Sequence, residues 1–198
     1  MEQLQRMQLV AAILTQGPVR LEPFAEHHRA GLTAAAEADL SIFRHMPFPI
    51  AAKGYGAWFD WLRAEQEAGR WIPHAVFDSE GAIVGQSCYL TLRPEQCGVE
   101  IGGTWYARGA QGTMINPAAK LALLDHAFGC GAERVEFKTD ALNAQSRAAL
   151  SKLGASFEGI FRRRLRRPDG SWRDDAYFSI IAPEWPSVRE RIAARIAA

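Results

Sequence analysis

The chain has 198 residues, of which 48% are hydrophobic and 23% charged, and 23 Lys and Arg side chains oppose 22 Asp and Glu side chains. These values fit one globular domain with its own core and exclude a disordered chain. The net charge of +1 argues against a general nucleic-acid binder. Cys88, Cys97 and Cys130 have neither metal nor disulfide spacing, so we predict reduced core thiols in a cytoplasmic protein without a metal site.

The first half of the chain is predicted to contain a strand, two helical segments and a hairpin. Residues 1–18 form an N-terminal extension whose apolar patch is too short to span a bilayer and which lacks a signal-peptide pattern. The predicted elements then are, in chain order, a strand over 19–24, helix over 25–43, a break at Pro47 and Pro49, helix over 55–68, and strands over 74–77 and 82–92 around a turn at 78–81.

The second half is predicted to alternate strands and helices before a final hairpin. Its elements are, in chain order, a strand over 98–105, a helix from Asn116 to Gly129 with Asn116 as cap and Pro117 in the first position, a strand over 134–139, a helix from Asn143 to Leu153, strands over 156–167 and 172–181, and a helical tail over 186–198. This order predicts an α/β (α+β) fold with one domain over 19–185, in which helices flank a mixed central sheet of about seven strands. A ligand is expected where two central strands part, at the N-terminus of a helix.

A glycine-containing loop joins the strand over 98–105 to the helix that begins at Asn116. Exposed backbone N–H groups and the helix dipole favour an anion at such a junction, and a phosphate or pyrophosphate fits best. The loop has neither the G-K-[ST] ending of a P-loop nor a G-x-G-x-x-G pattern. An ordinary strand-to-helix loop explains the same residues, and this stretch alone does not decide between the two interpretations.

Several short segments of the second half occur in an order that a known family shares. They are Asn116-Pro117-Ala118-Ala119-Lys120, Val135-Glu136-Phe137-Lys138-Thr139-Asp140, Asn143-Ala144-Gln145-Ser146-Arg147, Leu153-Gly154-Ala155 and Glu158-Gly159. The chain thereby resembles the GCN5-related N-acetyltransferase (GNAT) superfamily, and within it the RimJ/RimL-type branch. The resemblance implies a CoA cleft between two parting central strands. It also implies transfer of an acetyl group from acetyl-CoA to a primary amine, of a protein N-terminus or a small molecule, by direct attack in a ternary complex.

The resemblance further implies which residues bind acetyl-CoA. These candidates are Thr104, Trp105, Tyr106, Gln111, Gly112, Thr113, Met114, Asn116, Lys120, Asn143 and Arg147. Residues 104–106 are expected to offer backbone groups to the pantetheine arm, and residues 111–116 to hold the pyrophosphate. The family loop reads Gln/Arg-x-x-Gly-x-Gly/Ala, and this chain departs from it with Gly109 in the first position and Met114 in the last. A side chain at position 114 crowds the phosphates if it points toward them.

Ser146 is the catalytic residue that the resemblance implies for protonating the departing CoA thiolate. Its spacing from Asn143 equally suits a helix cap. Glu100 is the first candidate for the general base, although a strand-end carboxylate that only pairs with a neighbour explains it as well. Leu165 stands where the ribosomal enzymes carry a glutamate, so that base is absent here.

Five arginines between residues 160 and 167 make the final hairpin locally basic. We favour an ordinary exposed hairpin, in which these arginines pair with Asp169, Asp174 and Asp175. Asp174 and Asp175 are also further candidates for the general base. The alternative is a patch for an acidic partner or RNA.

Two functions therefore remain open at this point. The first is an acetyl-CoA-dependent N-acetyltransferase, whose partners are acetyl-CoA and an amine acceptor, with no metal and no membrane. The alternative is a catalytically weak or inactive CoA-binding or protein-interaction module of the same fold, which Met114 and Leu165 motivate. A homodimer through sheet edges or the C-terminal helix is compatible with either function.

Overall fold

An eight-stranded sheet forms the centre of the computed structural model, which describes residues 6–167 and 169–197. The strands are β1 (Leu14–Gln16), β2 (Val19–Pro23), β3 (Ile72–Phe77), β4 (Ile83–Arg93), β5 (Gly98–Tyr106), β6 (Arg134–Asp140), β7 (Ser156–Arg166) and β8 (Trp172–Ile181). Their spatial order is β1-β2-β3-β4-β5-β6-β8-β7. Within this sheet β5 and β6 run parallel and the other neighbours antiparallel. The predicted mixed sheet is confirmed, with one strand more than expected because β1 pairs with β2.

Helices cover both faces of the sheet, as predicted. They are α1 (Arg29–Glu37), α2 (Ile50–Lys53), α3 (Tyr55–Glu67), α4 (Ile115–Gly129), α5 (Ala144–Leu153) and α6 (Trp185–Ala197). On the α4 face, Tyr89 Oη donates to Leu123 O at 2.6 Å, and on the α1–α3 face Phe24 stacks on Phe59. Each face buries its own hydrophobic cluster. None of the helices in the described ranges is long and apolar enough to cross a membrane.

The segments before residue 19 and after residue 185 contribute to the core of the sheet. Met7 is buried in the cluster of the α4 face, and His74 Nε2 lies 3.2 Å from Ala12 O. At the other end, Val188 and Ile192 of α6 are buried in the same cluster. These contacts join both terminal segments to the sheet through apolar burial.

Two predicted helices differ from the structure in ways that their capping contacts explain. The predicted helix over 25–43 is interrupted, because Asp39 Oδ1 accepts a hydrogen bond from Ser41 N at 3.0 Å and starts a separate 3-10 turn. The helix α4 begins at Ile115 rather than after an Asn116 cap. The hydroxyl of Thr113, two positions before the helix, accepts from Ile115 N at 3.2 Å and so satisfies the first free N–H group.

Candidate functional site

The two parallel strands at the centre of the sheet separate soon after they meet. They pair from Gly98 opposite Arg134 to Glu100 opposite Glu136. Beyond this point β5 continues to Tyr106 alongside β4, and β6 continues to Asp140 alongside β8. We call the space between the diverging parts of β5 and β6 the strand cleft. Backbone groups on its two edges have no strand partner within the described sheet, so they are available to a ligand.

A bulge in β5 lies at the edge of the strand cleft. Gln86 pairs with Trp105 and Cys88 pairs with Gly102, so two residues of β5, Gly103 and Thr104, face one residue of β4. Gly103 has a φ of +58°, and a Cβ there would lie 3.2 Å from Cys88 Sγ and 3.3 Å from Trp71. Glycine at this position therefore permits both the left-handed backbone and the close packing.

Side chains on the α1–α3 face hold this bulge in place. The Gln86 Nε2 group donates to the carbonyl of Gly103 at 2.8 Å. Tyr55 Oη in turn donates to Gln86 Oε1, and both side chains are buried. Because the amide is fixed at both ends, the peptide at Gly103 has one orientation.

Lys120 of α4 reaches the bulge from the opposite face. Its Nζ lies 2.9 Å from Thr104 Oγ1 and 3.3 Å from Ser87 Oγ, and these hydroxyls lie 2.7 Å from each other. Lys120 is 6% exposed, and burial lowers its pKa to about 7. The sequence predicted Lys120 as a CoA ligand. It did not indicate Ser87, because a serine within a strand carries no motif that distinguishes it from other polar strand residues.

The loop between β5 and α4 brings the predicted pyrophosphate residues together. Gln111 Nε2 donates to Tyr106 O at 2.9 Å, and Thr113 Oγ1 donates to Ala110 O at 2.7 Å. Gly112 has a φ of +76°, and no atom lies within 4 Å of the position its Cβ would take. Met114, the departure from the family pattern, is 37% exposed beside these residues. The loop thus leads into a 15-residue helix, in whose first turn Asn116 is partly exposed.

The start of α5 lies next to this loop. Gln145 Nε2 is 3.5 Å from Gln111 Oε1. Asn143 caps α5, since its Oδ1 accepts from Ser146 N at 3.0 Å. The hydroxyl of Ser146 has no hydrogen-bond partner in the described part of the chain, so it is available to a substrate. Arg147 instead donates to Ala141 O at 3.3 Å.

Glu100 marks the point at which β5 and β6 part. Its Oε2 lies 2.6 Å from Lys138 Nζ and accepts from Thr91 Oγ1 at 2.9 Å. Glu136 Oε1 lies 3.2 Å from the same ammonium group. Burial acts against the charged form of Lys138, but the two carboxylates raise its pKa above the ordinary value. The candidate base is therefore one member of a buried ion-pair network.

The arginines of the β7–β8 hairpin do not pair as predicted. Arg167 forms its ion pair with Asp140 of β6, at 2.9 Å, and Asp175 pairs with Arg173. Asp174 accepts from the backbone N–H of Arg163 at 2.7 Å. The other strand arginines, which are Arg162, Arg163, Arg164 and Arg166, have no carboxylate within salt-bridge distance among the described residues. Their spacing could not show this, because the acids that sequence reasoning paired with them have other partners.

One group of possible metal ligands occurs in the described ranges, formed by Glu22, His27 and His28. His28 Nδ1 accepts from Ala25 N at 3.1 Å, which places the proton of the neutral ring on Nε2. That nitrogen lies 2.9 Å from Glu22 Oε2. A cation would have to displace the proton that this hydrogen bond uses, so we interpret Glu22 and the buried His28 as a hydrogen-bonded pair.

Residues 19–156 match the acetyltransferase (GNAT) domain family. A GCN5-related N-acetyltransferase from Brucella melitensis is 27% identical with a TM-score of 0.88, over 98% of this chain and 90% of that one. Mycobacterium smegmatis RimJ in complex with CoA-disulfide is 28% identical with a TM-score of 0.78, over 93% of both chains. RimL, a ribosomal L7/L12 alpha-N-protein acetyltransferase, is 17% identical with a TM-score of 0.76 over 87% of this chain and 95% of that one, and shares the fold. No curated protein sequence matches the chain.

Proposed function

Because the chain belongs to the GNAT acetyltransferase family, we propose that it transfers an acetyl group from acetyl-CoA to a primary amine by direct attack in a ternary complex. One observation carries this proposal: β5 and β6 part after Glu100 and Glu136, and the loop after β5 leads into the N-terminus of α4. An extended ligand with a terminal anion matches such a site.

The residues of the strand cleft fit acetyl-CoA in their chemistry. The free backbone groups of β5 beyond Glu100 suit the amides of a pantetheine arm. In the first turn of α4, Ile115 N–H is bonded to Thr113 and Pro117 has no N–H, so the N–H of Asn116 and the open position at Gly112 are the groups that suit a pyrophosphate. Acetyl-CoA supplies the acyl group when bound, and the protein supplies orientation and hydrogen bonds.

The charges at the cleft favour an α-amine as acceptor. About one tenth of an α-amine with a pKa near 8 is neutral at pH 7, whereas a lysine ε-amine with a pKa near 10.4 is almost entirely charged. The Glu100 carboxylate is already paired with Lys138 through Oε2. It can still take the more acidic proton that nitrogen carries after attack. We therefore propose a protein N-terminus or a small α-amine as acceptor and Glu100 as the proton acceptor.

Ser146 is our candidate for the group that hydrogen-bonds the departing sulfur. Its cap contact uses the backbone N–H and leaves the hydroxyl available. Ser146→Ala should keep the cap and the melting temperature but lower kcat about 100-fold, since one hydrogen-bond donor to the departing sulfur is lost. Ser151→Ala, an exposed serine of the same helix, is the matched control. Equal kcat for the wild type and Ser146→Ala would remove Ser146 from the mechanism.

Isothermal titration calorimetry with acetyl-CoA tests the site itself. Gly112→Asp places a negative charge at the proposed pyrophosphate position and should weaken binding at least tenfold. Gly81→Asp is the matched control, because Gly81 has a similar φ of +80° and equally open surroundings in the β3–β4 turn. No binding of acetyl-CoA to the wild type at millimolar concentration would contradict the proposal.

A panel of amines then tests the reaction. The CoA thiol should be released only when an amine acceptor is present, and the release should be faster with α-amines than with ε-amines. Binding of acetyl-CoA without turnover on any amine would identify the alternative, a CoA-binding module without catalysis.

A further inference from the structure

Lys120 is a buried cation without a buried anion to balance it. Among the described residues its Nζ contacts two hydroxyl groups, Thr104 Oγ1 and Ser87 Oγ, and no carboxylate within salt-bridge distance. Lys138 in the same sheet, by contrast, is held between Glu100 and Glu136. Removing an ammonium group from water without a counter-charge is costly, so an unpaired buried lysine is a candidate functional group.

The position of Lys120 points to that use. The partner Thr104 lies on β5 and the ring of Phe137, 5.8 Å from Nζ, lies on β6. Both residues come after Glu100 and Glu136, the last parallel pair. The ammonium group therefore lies under the strand cleft, between the two strands whose parting forms it. A positive charge there acts on a ligand in the cleft through a medium of low dielectric constant.

We propose that Lys120 stabilises, and finally protonates, the sulfur that leaves when the acetyl group is transferred, an inference that rests on the proposed function. The amine nitrogen forms a bond to the acyl carbon, and the carbon–sulfur bond breaks with its electron pair on sulfur. Lys120 Nζ gives its proton to this sulfur, and the nitrogen's surplus proton passes to Glu100 and then to solvent. Lys120 takes a proton back from solvent after CoA departs.

This assignment is compatible with the contacts of Lys120. Its hydroxyl partners orient the ammonium group without neutralising it, whereas a carboxylate would reduce the charge that the cleft experiences. Because burial brings the pKa of Lys120 near neutrality, loss and recovery of its proton are both accessible at pH 7. The two proposed donors to the sulfur lie on different helices, Ser146 on α5 and Lys120 on α4.

Binding of CoA and of desulfo-CoA, which lacks the sulfur, tests the proposal without an acceptor. The wild type should bind CoA about tenfold more tightly than desulfo-CoA at pH 8, because a thiolate can form beside Lys120. Lys120→Met should reduce this preference to less than twofold. Lys120→Gln, which keeps a hydrogen bond to Thr104 but carries no charge, should lose it equally. Lys152→Met, which removes an exposed lysine of α5, should keep the full preference.

Each outcome has a separate meaning. A preference that survives in Lys120→Met overturns the role of Lys120 but leaves the proposed function intact. A preference that survives only in Lys120→Gln shows that Lys120 acts by positioning Thr104, and it overturns the charge-based assignment. Failure of the wild type to bind either compound overturns the proposed function and this inference with it. Thermal melts of both variants verify that they are folded.

Discussion

The strand cleft and the β7–β8 hairpin both carry positive charge, but their basic side chains differ in burial and in pairing with carboxylates. Around the cleft, Lys138 is half-buried between two carboxylates, and Lys120 is buried against hydroxyls. On the hairpin, Arg162 and Arg164 are exposed and have no carboxylate partner in the described structure. An unpaired charge in water costs little, whereas an unpaired charge in the interior costs a great deal. The unpaired lysine therefore calls for a functional explanation, and the unpaired arginines do not.

The same contrast occurs within the hairpin itself. Arg167 turns inward and donates to both carboxylate oxygens of Asp140, which is 1% exposed. The neighbouring Arg166 remains exposed and lies over the ring of Trp172, 3.9 Å from its centroid. Arg166 is the last residue of β7 and Arg167 the first residue after it, so two adjacent residues form a solvated surface contact and a buried ion pair.

The largest expected effect is on stability, at the buried end of the hairpin. Asp140→Ala leaves Arg167 without its partner and should cost roughly 3 kcal/mol, which is about 6 °C or more in melting temperature for a chain of this size. Asp169→Ala is a close control, because Asp169 also accepts a backbone N–H two residues later but is exposed. Equal melting temperatures for the two variants would show that the Arg167 pair contributes nothing.

The second expected effect depends on pH and concerns Lys120. Its pKa falls from the ordinary 10.5 to about 7 on folding, so between these values the unfolded chain binds more protons than the folded one. The stability of the wild type should therefore rise across this window, and the penalty of the buried charge is complete below pH 7. Cys88 is the titratable neighbour on β4, and burial raises its pKa above the window.

Lys120→Met removes this penalty. Its melting temperature should exceed that of the wild type most at pH 6, and the difference should shrink as the pH approaches 10. Arg162→Met, which removes an exposed charge of the hairpin, should show no such pH dependence. A lower melting temperature for Lys120→Met at pH 6 would mean that Lys120 stabilises the fold. The unpaired lysine would then need no functional explanation, as the exposed arginines need none.

A third, smaller effect is expected at Glu100. Glu100→Gln should lower kcat about tenfold, since the amide cannot accept the proton from nitrogen. Glu136→Gln changes the other carboxylate that contacts Lys138 and should alter kcat less than twofold. Initial rates with a confirmed amine at saturating acetyl-CoA give the comparison. If both variants lose activity equally, Glu100 acts through Lys138 and not as a base.

The smallest effect is expected at the exposed arginines. The double variant Arg162→Ala and Arg164→Ala should change stability by no more than about 0.5 kcal/mol, as is usual for exposed side chains. Differential scanning calorimetry in low and in high salt provides the measurement. A marked loss at low salt alone would reveal a stabilising charge interaction on this surface.

Local patterns in the sequence were sufficient for the larger elements of the fold. The β3–β4 turn, the crossover helices and the final hairpin are determined by residues close together in the chain, such as Gly154 after α5. Helix boundaries were harder to predict from the sequence where several polar residues could form the cap, as at Asp39 and Thr113. The short strand β1 escaped prediction because its three residues are strand-like only beside β2.

By itself, the sequence determined the family resemblance, the mixed sheet and the loop that leads into α4, because motif order and hydrophobic periodicity are local properties. Only the tertiary structure decided which charges are paired. The contact of Lys120 with Ser87 joins residues 33 positions apart, and that of Arg167 with Asp140 joins residues 27 apart. Burial and the distance to a counter-charge depend on how strands and helices pack. For that reason a basic side chain is a solvated surface group on the hairpin and a candidate catalytic group beneath the cleft.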